Sequence, residues 1–130
     1  MTQVDRTTRC FLGWCVALDR DTATLQAVVN AAPSAHQYYS DAWAGYGGVV
    51  YFPGQHEGLP HKTQTYSVEA GNAELRHYLA RLARASRCFS RTLDALCAAV
   101  KLFILAWNRR QLARHQHPQY QRAVAEFLYP

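Results

Sequence analysis

Residues 37–41, Gln-Tyr-Tyr-Ser-Asp, form a short run of aromatic side chains that ends in an acid. Such a run predicts a buried strand that stops at Asp41. In an open sheet covered by helices, ligands bind beyond the carboxyl ends of the strands, and this carboxylate falls at such an end. Magnesium in proteins is usually held by one or two carboxylates together with phosphate oxygens of a substrate. The structural alternative is that Asp41 caps a helical turn beginning at Ala42.

A second acid lies on the helix that the sequence predicts from about residue 68. Glu69, Asn72 and Arg76 stand at positions i, i+3 and i+7, so they share one helical face. A carboxylate, an amide and a guanidinium in a row can bind a metal ion and orient a phosphate. The alternative is a solvated polar stripe of the kind that many helices carry. With Asp41, this face predicts two-metal phosphodiester chemistry on nucleic acid.

Positive charge is concentrated directly after Glu69. The whole chain of 130 residues has a formal net charge of +5, but residues 71–114 alone carry nine Lys and Arg against Glu74 and Asp94, a net of +7. A track along a DNA backbone is one interpretation of this segment, and a solvated face is the other. The arginines proposed for the track are Arg76, Arg81, Arg84, Arg87 and Arg91.

The order of predicted elements is typical of an α/β layer fold with helices packed on a sheet. Two strands flank the turn at 5–9, a helix capped by Asp21 or Thr22 follows, and the 37–41 strand leads into a helical turn. We then expect a strand at 49–52, a loop at 53–64, a helix of about twenty residues, and a second long helix from near Ser90. The apolar stripe of that second helix is predicted to be Leu93, Leu96, Val100, Phe103, Ile104 and Trp107. A chain of this length is expected to form one domain, which we assign to residues 1–114, with a tail at residues 115–130.

Several functional classes are disfavoured by composition. The four cysteines, at positions 10, 15, 88 and 97, include no Cys-x-x-Cys pair of the zinc-binding kind. The first residues lack the apolar region of a signal peptide. The longest apolar stretch, 93–107, contains Asp94 and Lys101 and is too short to span a bilayer. We therefore expect a cytoplasmic protein with reduced thiols.

Taken together, these motifs resemble the transposases of bacterial insertion sequence one, over roughly residues 4–108. The interval between Asp41 and Glu69 is 27 residues, which is similar to the interval in that family. The segments that carry the resemblance are 5–9 (Asp-Arg-Thr-Thr-Arg), 39–46 (Tyr-Ser-Asp-Ala-Trp-Ala-Gly-Tyr), 64–65 (Gln-Thr) ahead of Glu69 and Asn72, 75–82 (Leu-Arg-His-Tyr-Leu-Ala-Arg-Leu), 88–91 (Cys-Phe-Ser-Arg) and 103–108.

The resemblance implies a ribonuclease H-like mixed sheet with packed helices, two long C-terminal helices and a DDE active site. In such enzymes three acids bind two Mg²⁺ (or Mn²⁺) ions, and the chain cleaves DNA and transfers the strand to a target. By position, Asp41 looks like the second acid and Glu69 like the third. Arg76, Arg81 and Arg84 would face the DNA.

One departure from the family limits what we expect of this chain alone. The family's first acid lies upstream on the first strand, whereas Asp5 matches the turn between the second and third strands, so we expect both the first strand and the first acid to be missing. Asp5, Asp41 and Glu69 nevertheless imitate a triad in their spacing. The resulting prediction is an inactive C-terminal part of a transposase, and the alternative is a fragment that binds DNA or intact transposase without catalysis, as an inhibitor or pseudogene product. A sheet edge left exposed predicts self-association.

Overall fold

The computed structural model describes residues 1–60, 64–82 and 90–118, and it shows a mixed α/β architecture with small sheets and three α-helices. Two short 3₁₀ helices, Ala44–Gly48 and Ala80–Leu82, lie between the larger elements. In chain order the elements are β1 (Thr2–Val4), β2 (Phe11–Trp14), α1 (Thr22–Ala31), β3 (Gln37–Asp41), β4 (Gln55–Leu59), α2 (Tyr66–Tyr78) and α3 (Leu93–Gln116).

The first two strands form an antiparallel hairpin whose turn is built by Asp5, as expected for this segment. The Asp5 carboxylate accepts hydrogen bonds from the Thr8 N–H and the Thr8 hydroxyl, both at 2.6 Å. The Asp5 N–H in turn donates to the Cys10 carbonyl at 2.8 Å. A short polar side chain that bonds the backbone three residues ahead is a common way to close such a turn.

The second pair of strands is parallel, and its second member was placed wrongly by the sequence pattern. β3 pairs with β4 from Gln37 opposite Gln55 to Asp41 opposite Leu59. The strand expected at 49–52 is instead irregular and runs into a turn, in which the Gly54 N–H donates to the Tyr51 carbonyl at 2.8 Å. β4 falls in the segment predicted to be a loop, because pairing with β3 outweighs the low strand propensity of its residues.

The helices follow their local signals at the beginning and depart from them at the ends. Asp21 caps α1 by accepting from the Thr24 N–H at 2.7 Å. The helix expected to run about twenty residues stops at Tyr78, because Leu79 has a non-helical ψ of 88°. α3 begins after its cap Thr92 rather than near residue 90, and it continues to Gln116, past the boundary drawn at 114.

The hydrophobic core lies where α2 and α3 cover the hairpin. Its buried members are Phe11, Leu75, Val100 and Ile104. Partly buried apolar side chains surround them, including the rest of the predicted α3 stripe except Leu93, which is 48% exposed. The flanking residues are Val4, Trp14, Val16, Leu79, Leu82, Leu96, Phe103 and Trp107.

The helices cover opposite faces of the hairpin. A Cβ at Gly71 of α2 would lie 3.1 Å from the Phe11 ring, whereas a Cβ at Gly13 would lie 2.5 Å from the Val28 carbonyl of α1. The β1–β2 register shifts between these positions, which turns Phe11 and Gly13 toward different faces although they are two residues apart. The hairpin is therefore covered by α1 on one side and by α2 with α3 on the other.

Candidate functional site

A cavity of about 540 Å³ opens between β1 and β3, and it is the candidate site. Residues 1–6 form one wall and residues 37–41 form the opposite wall. Leu25, Val28 and Val29 of α1 line it from one face. Gln64 and the α2 residues Ser67, Val68, Glu69, Asn72 and Arg76 also line it. The volume is typical of sites that bind a small molecule or a short segment of a macromolecule.

Asp41 stands at the cavity wall at the carboxyl end of β3, and its side chain is exposed. Its Oδ1 accepts a hydrogen bond from the Trp43 N–H at 3.2 Å. The following 3₁₀ helix begins at Ala44 with Trp43 as its cap and no side-chain cap bond. Asp41 therefore forms a local turn with the backbone two residues ahead and does not cap a helix.

Glu69, Asn72 and Arg76 share the α2 face that lines the cavity. Glu69 and Arg76 are exposed, while Asn72 is partly buried. The Asn72 Oδ1 accepts from the Thr2 hydroxyl at 2.8 Å, so this amide ties α2 to β1. The three residues that the sequence groups by spacing thus line the same cavity as Asp41. Asn72 also has a structural role through its hydrogen bond with Thr2.

Asp5 lines the same cavity, but its carboxylate is engaged in the hairpin turn. Burial alone would raise the pKa of Asp5, yet the bonds from the Thr8 hydroxyl and from backbone N–H groups outweigh it and lower that pKa. In the part of the chain that the structure describes, no three His, Cys, Asp or Glu side chains are grouped so that they could hold a metal ion. The spacing that imitates a triad does not produce a three-ligand cluster here.

A hydrogen-bonded pair that sequence reasoning missed lies beside Asp41. The Ser40 Oγ and the His56 Nε2 are 2.8 Å apart, and the Ser40 hydroxyl also lies 2.8 Å from the Asp41 carbonyl, to which it donates. Because the Ser40 hydroxyl donates its proton to the Asp41 carbonyl, the hydrogen bond with His56 is donated by Nε2. In this arrangement His56 holds Ser40 in place and does not act as its base. Only the parallel pairing of β3 with β4 brings these residues together, and no sequence spacing signals it.

Aromatic rings surround His56 and explain two pKa shifts. The Tyr51 ring stacks on the His56 ring with centroids 4.3 Å apart and planes 7° from parallel. Burial lowers the pKa of His56, because the imidazolium form loses hydration. Burial, with smaller contributions from Tyr46 and Tyr38, raises the pKa of Tyr51 to about 12. Both groups are therefore neutral at pH 7.

Two arginines on the cavity wall rest on aromatic faces. The Arg20 guanidinium lies 3.9 Å from the centre of the Trp43 ring, and that of Arg6 lies 4.9 Å from the centre of the Tyr39 ring. Both arginines line the cavity. A guanidinium stacked on a ring keeps its N–H donors available at the edge, where they can meet an anion. The sequence analysis placed neither residue in the site.

Of the remaining arginines assigned to a DNA track, Arg81 and Arg91 lie among the described residues. Arg81 is exposed, lies in the 3₁₀ helix after α2 and donates to the Ser90 hydroxyl at 3.1 Å. It is not part of the cavity wall. Arg84 and Arg87 fall outside the described residues.

Comparisons with known proteins identify no relative. No protein-family model, curated protein or solved structure matches this chain. Within residues 1–60, 64–82 and 90–118, none of the helices combines the length and apolar character that crossing a bilayer requires. The site therefore has to be interpreted from its own geometry.

Proposed function

We propose that this chain is the C-terminal part of a DDE transposase catalytic domain with a ribonuclease H-like fold. The activity of the whole domain would be magnesium-dependent DNA cleavage and strand transfer. The observation that carries the proposal is that Asp41 and Glu69, far apart in sequence, line one cavity together with Arg76. The expected partner is DNA, both the transposon ends and the target. The expected location of the protein is the cytoplasm.

The donor atoms of the side chains present are of the kind that Mg²⁺ or Mn²⁺ binds. Asp41 and Glu69 supply hard carboxylate oxygens, and magnesium typically takes one or two of these with water and phosphate oxygens. The Asp41 carboxylate is exposed and engages one backbone N–H through Oδ1. A bound metal would withdraw charge from the phosphodiester, and Arg76 would orient a phosphate from the same wall.

The chain by itself is expected to be inactive, because one of the three acids that line the cavity is committed to the hairpin turn. Asp5 is the third acid on the wall, and its bonds to Thr8 commit it to the turn. A DNA-cleavage assay on transposon-end duplex with Mg²⁺ should show no product from this chain alone. Cleavage that disappears in Asp5→Asn would instead make Asp5 a ligand and overturn this assignment.

Metal binding tests the role of the two carboxylates directly. Titration of the chain with Mn²⁺, followed by electron paramagnetic resonance, should show binding that weakens at least about tenfold in Asp41→Asn and in Glu69→Gln, since even outer partners of metal ligands contribute that much. Glu57→Gln is the matched control, an exposed acid on β4 that is not part of the cavity wall. Equal Mn²⁺ affinity in all four proteins would remove the proposed metal site.

The second candidate is a fragment that binds DNA, or intact transposase, without catalysis. Two observations favour it: no three-ligand metal cluster exists among the residues that the structure describes, and residues 71–114 are strongly basic. Fluorescence anisotropy with a labelled duplex should give an affinity that falls steeply between about 50 and 200 mM salt, with a slope near −0.9 per phosphate contacted.

Charge-neutral variants distinguish a DNA track from a solvated face. Arg76→Gln and Arg81→Gln should each reduce the salt slope by about one and weaken binding on all sequences alike. Arg114→Gln, in the last turn of α3 and outside the proposed track, is the matched control. A duplex that fails to bind at low salt, or that binds equally well to every variant, would argue against the track.

A further inference from the structure

The two sheets of this protein each end in an edge that faces the same cavity. β1 is paired only with β2 and β3 only with β4, so neither strand has a second partner among the described residues. The cavity is lined along the full length of both strands. An unpaired edge is a template for another strand, and here two such templates face one space.

The backbone bonds show which groups point into that space. The Met1 carbonyl accepts from the Cys15 N–H at 2.9 Å, and the Asp5 N–H donates to the Cys10 carbonyl just before β2, so residues 1, 3 and 5 bond toward the β2 side. Thr2 and Val4 therefore direct their N–H and C=O groups to the opposite edge, because backbone groups alternate along a strand.

The same reasoning applies to the other wall. The His36 carbonyl accepts from the Gln55 N–H at 2.9 Å, which places the bonds of residues 36, 38 and 40 on the β4 side. Gln37 and Tyr39 direct their N–H and C=O groups away from β4, whereas the Asp41 carbonyl accepts from the Ser40 hydroxyl. Both walls therefore present alternating donors and acceptors at strand spacing.

Three buried polar atoms beside these edges have no partner among the described residues. They are the Gln3 Oε1, the Gln64 Oε1 and the Ser67 Oγ, and all three residues line the cavity. Ser67 is only 3% exposed. A buried polar atom without a partner destabilises the fold, so a ligand that forms hydrogen bonds with these atoms is favoured at the site.

We propose that the cavity is a binding site for an extended polypeptide segment from another chain, which inserts between β1 and β3 and joins the two ladders into one five-stranded sheet. The segment is about five residues long, because β3 has five residues and a strand rises about 3.3 Å per residue. The inference does not rest on the proposed catalytic role, since it uses backbone groups and not the carboxylates of Asp41 and Glu69.

The two faces of the cavity define the side chains that the segment carries. One face is apolar, formed by Leu25, Val28 and Val29 of α1. The other is polar, with Gln64, Ser67 and Asn72. Side chains of a strand alternate between the two faces of its sheet, so the segment alternates apolar residues with small polar ones.

A synthetic peptide tests the inference on the intact wild-type chain. The probe is a seven-residue peptide, capped at both ends, with valine at three alternate positions, serine between them and a lysine at each end. Binding is followed by fluorescence anisotropy of the labelled peptide, and hydrogen exchange at Thr2, Val4 and Tyr39 should slow in the complex. A peptide of the same composition with its valines contiguous should bind at least about tenfold more weakly, since at least one of its three valine side chains then meets the polar face.

Two backbone-methylated peptides separate insertion from addition at one edge. Methylating the valine amides removes the donors to one wall, and methylating the serine amides removes the donors to the other. Each lost hydrogen bond should weaken binding about 2- to 10-fold, and both methylated peptides should be weakened. Weakening in only one of them would mean addition to a single edge and would overturn the proposal.

A variant of the protein locates the site. Ser67→Trp fills the cavity and should abolish peptide binding, whereas Ala73→Trp, on an exposed position of the same helix, should leave it unchanged. If Ser67→Trp does not fold, the methylated peptides still decide the question on the wild-type chain. No binding by the alternating peptide, equal binding by all peptides, or self-association of the free chain that protects the same amides would each overturn the inference.

Discussion

At the scale of single residues, one amide joins the hairpin to the last helix. The Asn108 Oδ1 accepts from the Phe11 N–H and its Nδ2 donates to the Phe11 carbonyl, each at 2.8 Å. The neighbouring Trp107 donates from its indole to the Arg9 carbonyl at 3.0 Å. These bonds satisfy backbone groups of β2 next to the turn, and a buried backbone group without a partner would destabilise the fold. They orient the strand whose Phe11 ring fills the core.

His56 makes the stability of the protein depend on pH at the same scale. Its pKa is lowered in the folded state from an ordinary value of 6.5, so folding favours the neutral ring. This contribution is fully present above pH 6.5 and is lost as the pH falls through the lower folded pKa. Urea denaturation should therefore show the free energy of unfolding falling below pH 6.5, less steeply in His56→Gln.

The control for this prediction is His36→Gln, which changes an exposed histidine just before β3. We expect its pH dependence to follow the wild type. If the wild type and His56→Gln show the same slope between pH 6.5 and 5, the burial of His56 contributes nothing to the pH dependence of stability.

At the scale of elements, β2 and α1 approach so closely that only glycine fits between them. A Cβ at Gly13 would lie 2.5 Å from the Val28 carbonyl and 3.2 Å from the Ala32 Cβ. The contact fixes the position of α1, which forms the apolar side of the cavity. A side chain at Gly13 would have to push the helix away from the hairpin, since backbone atoms cannot move aside independently.

Gly13→Ala should lower the free energy of unfolding by about 1–3 kcal/mol, as overpacking in a well-packed contact typically does. Chemical denaturation measures the change. Gly47→Ala is the matched control, because a Cβ at Gly47 meets no atom within 4 Å. A loss of stability in Gly47→Ala as large as that in Gly13→Ala would mean that the helix contact is not the cause.

At the scale of the whole molecule, the described residues bury apolar side chains in two places. One is the cluster between the hairpin and the last two helices, and the other includes Leu25 and Val28 of α1. Phe11, Leu75, Val100 and Ile104 come from the hairpin, α2 and α3, whereas the cavity lies between the two ladders. The break after Tyr78 belongs to this arrangement, because Leu79 and Leu82, which follow it, both pack against the cluster formed with α2 and α3. Among the described residues the two ladders share no strand pairing, so packing of helices and not a continuous sheet joins them.

Leu75→Ala should reduce stability by about 2–5 kcal/mol, because it leaves a cavity in the centre of that core. Leu102→Ala is the control on α3, where the leucine is 69% exposed, and its effect should stay within about 0.5 kcal/mol. Urea denaturation with a comparison of m-values measures both. Equal destabilisation by the two substitutions would place the core elsewhere.

The sequence by itself determined the features that depend on neighbours a few residues apart. The Asp5 turn, the Asp21 cap and most of the apolar stripe of α3 are visible in it, because capping, turn and periodicity signals act within one or two turns of chain. Asp41 and Glu69 both line the cavity, and their catalytic role remains a prediction. Tertiary structure alone decided the strand at 55–59, the end of α2 at Tyr78, the Ser40–His56 pair and the open space between the ladders, since each arises from contacts between residues distant in sequence, whose strength local patterns do not encode.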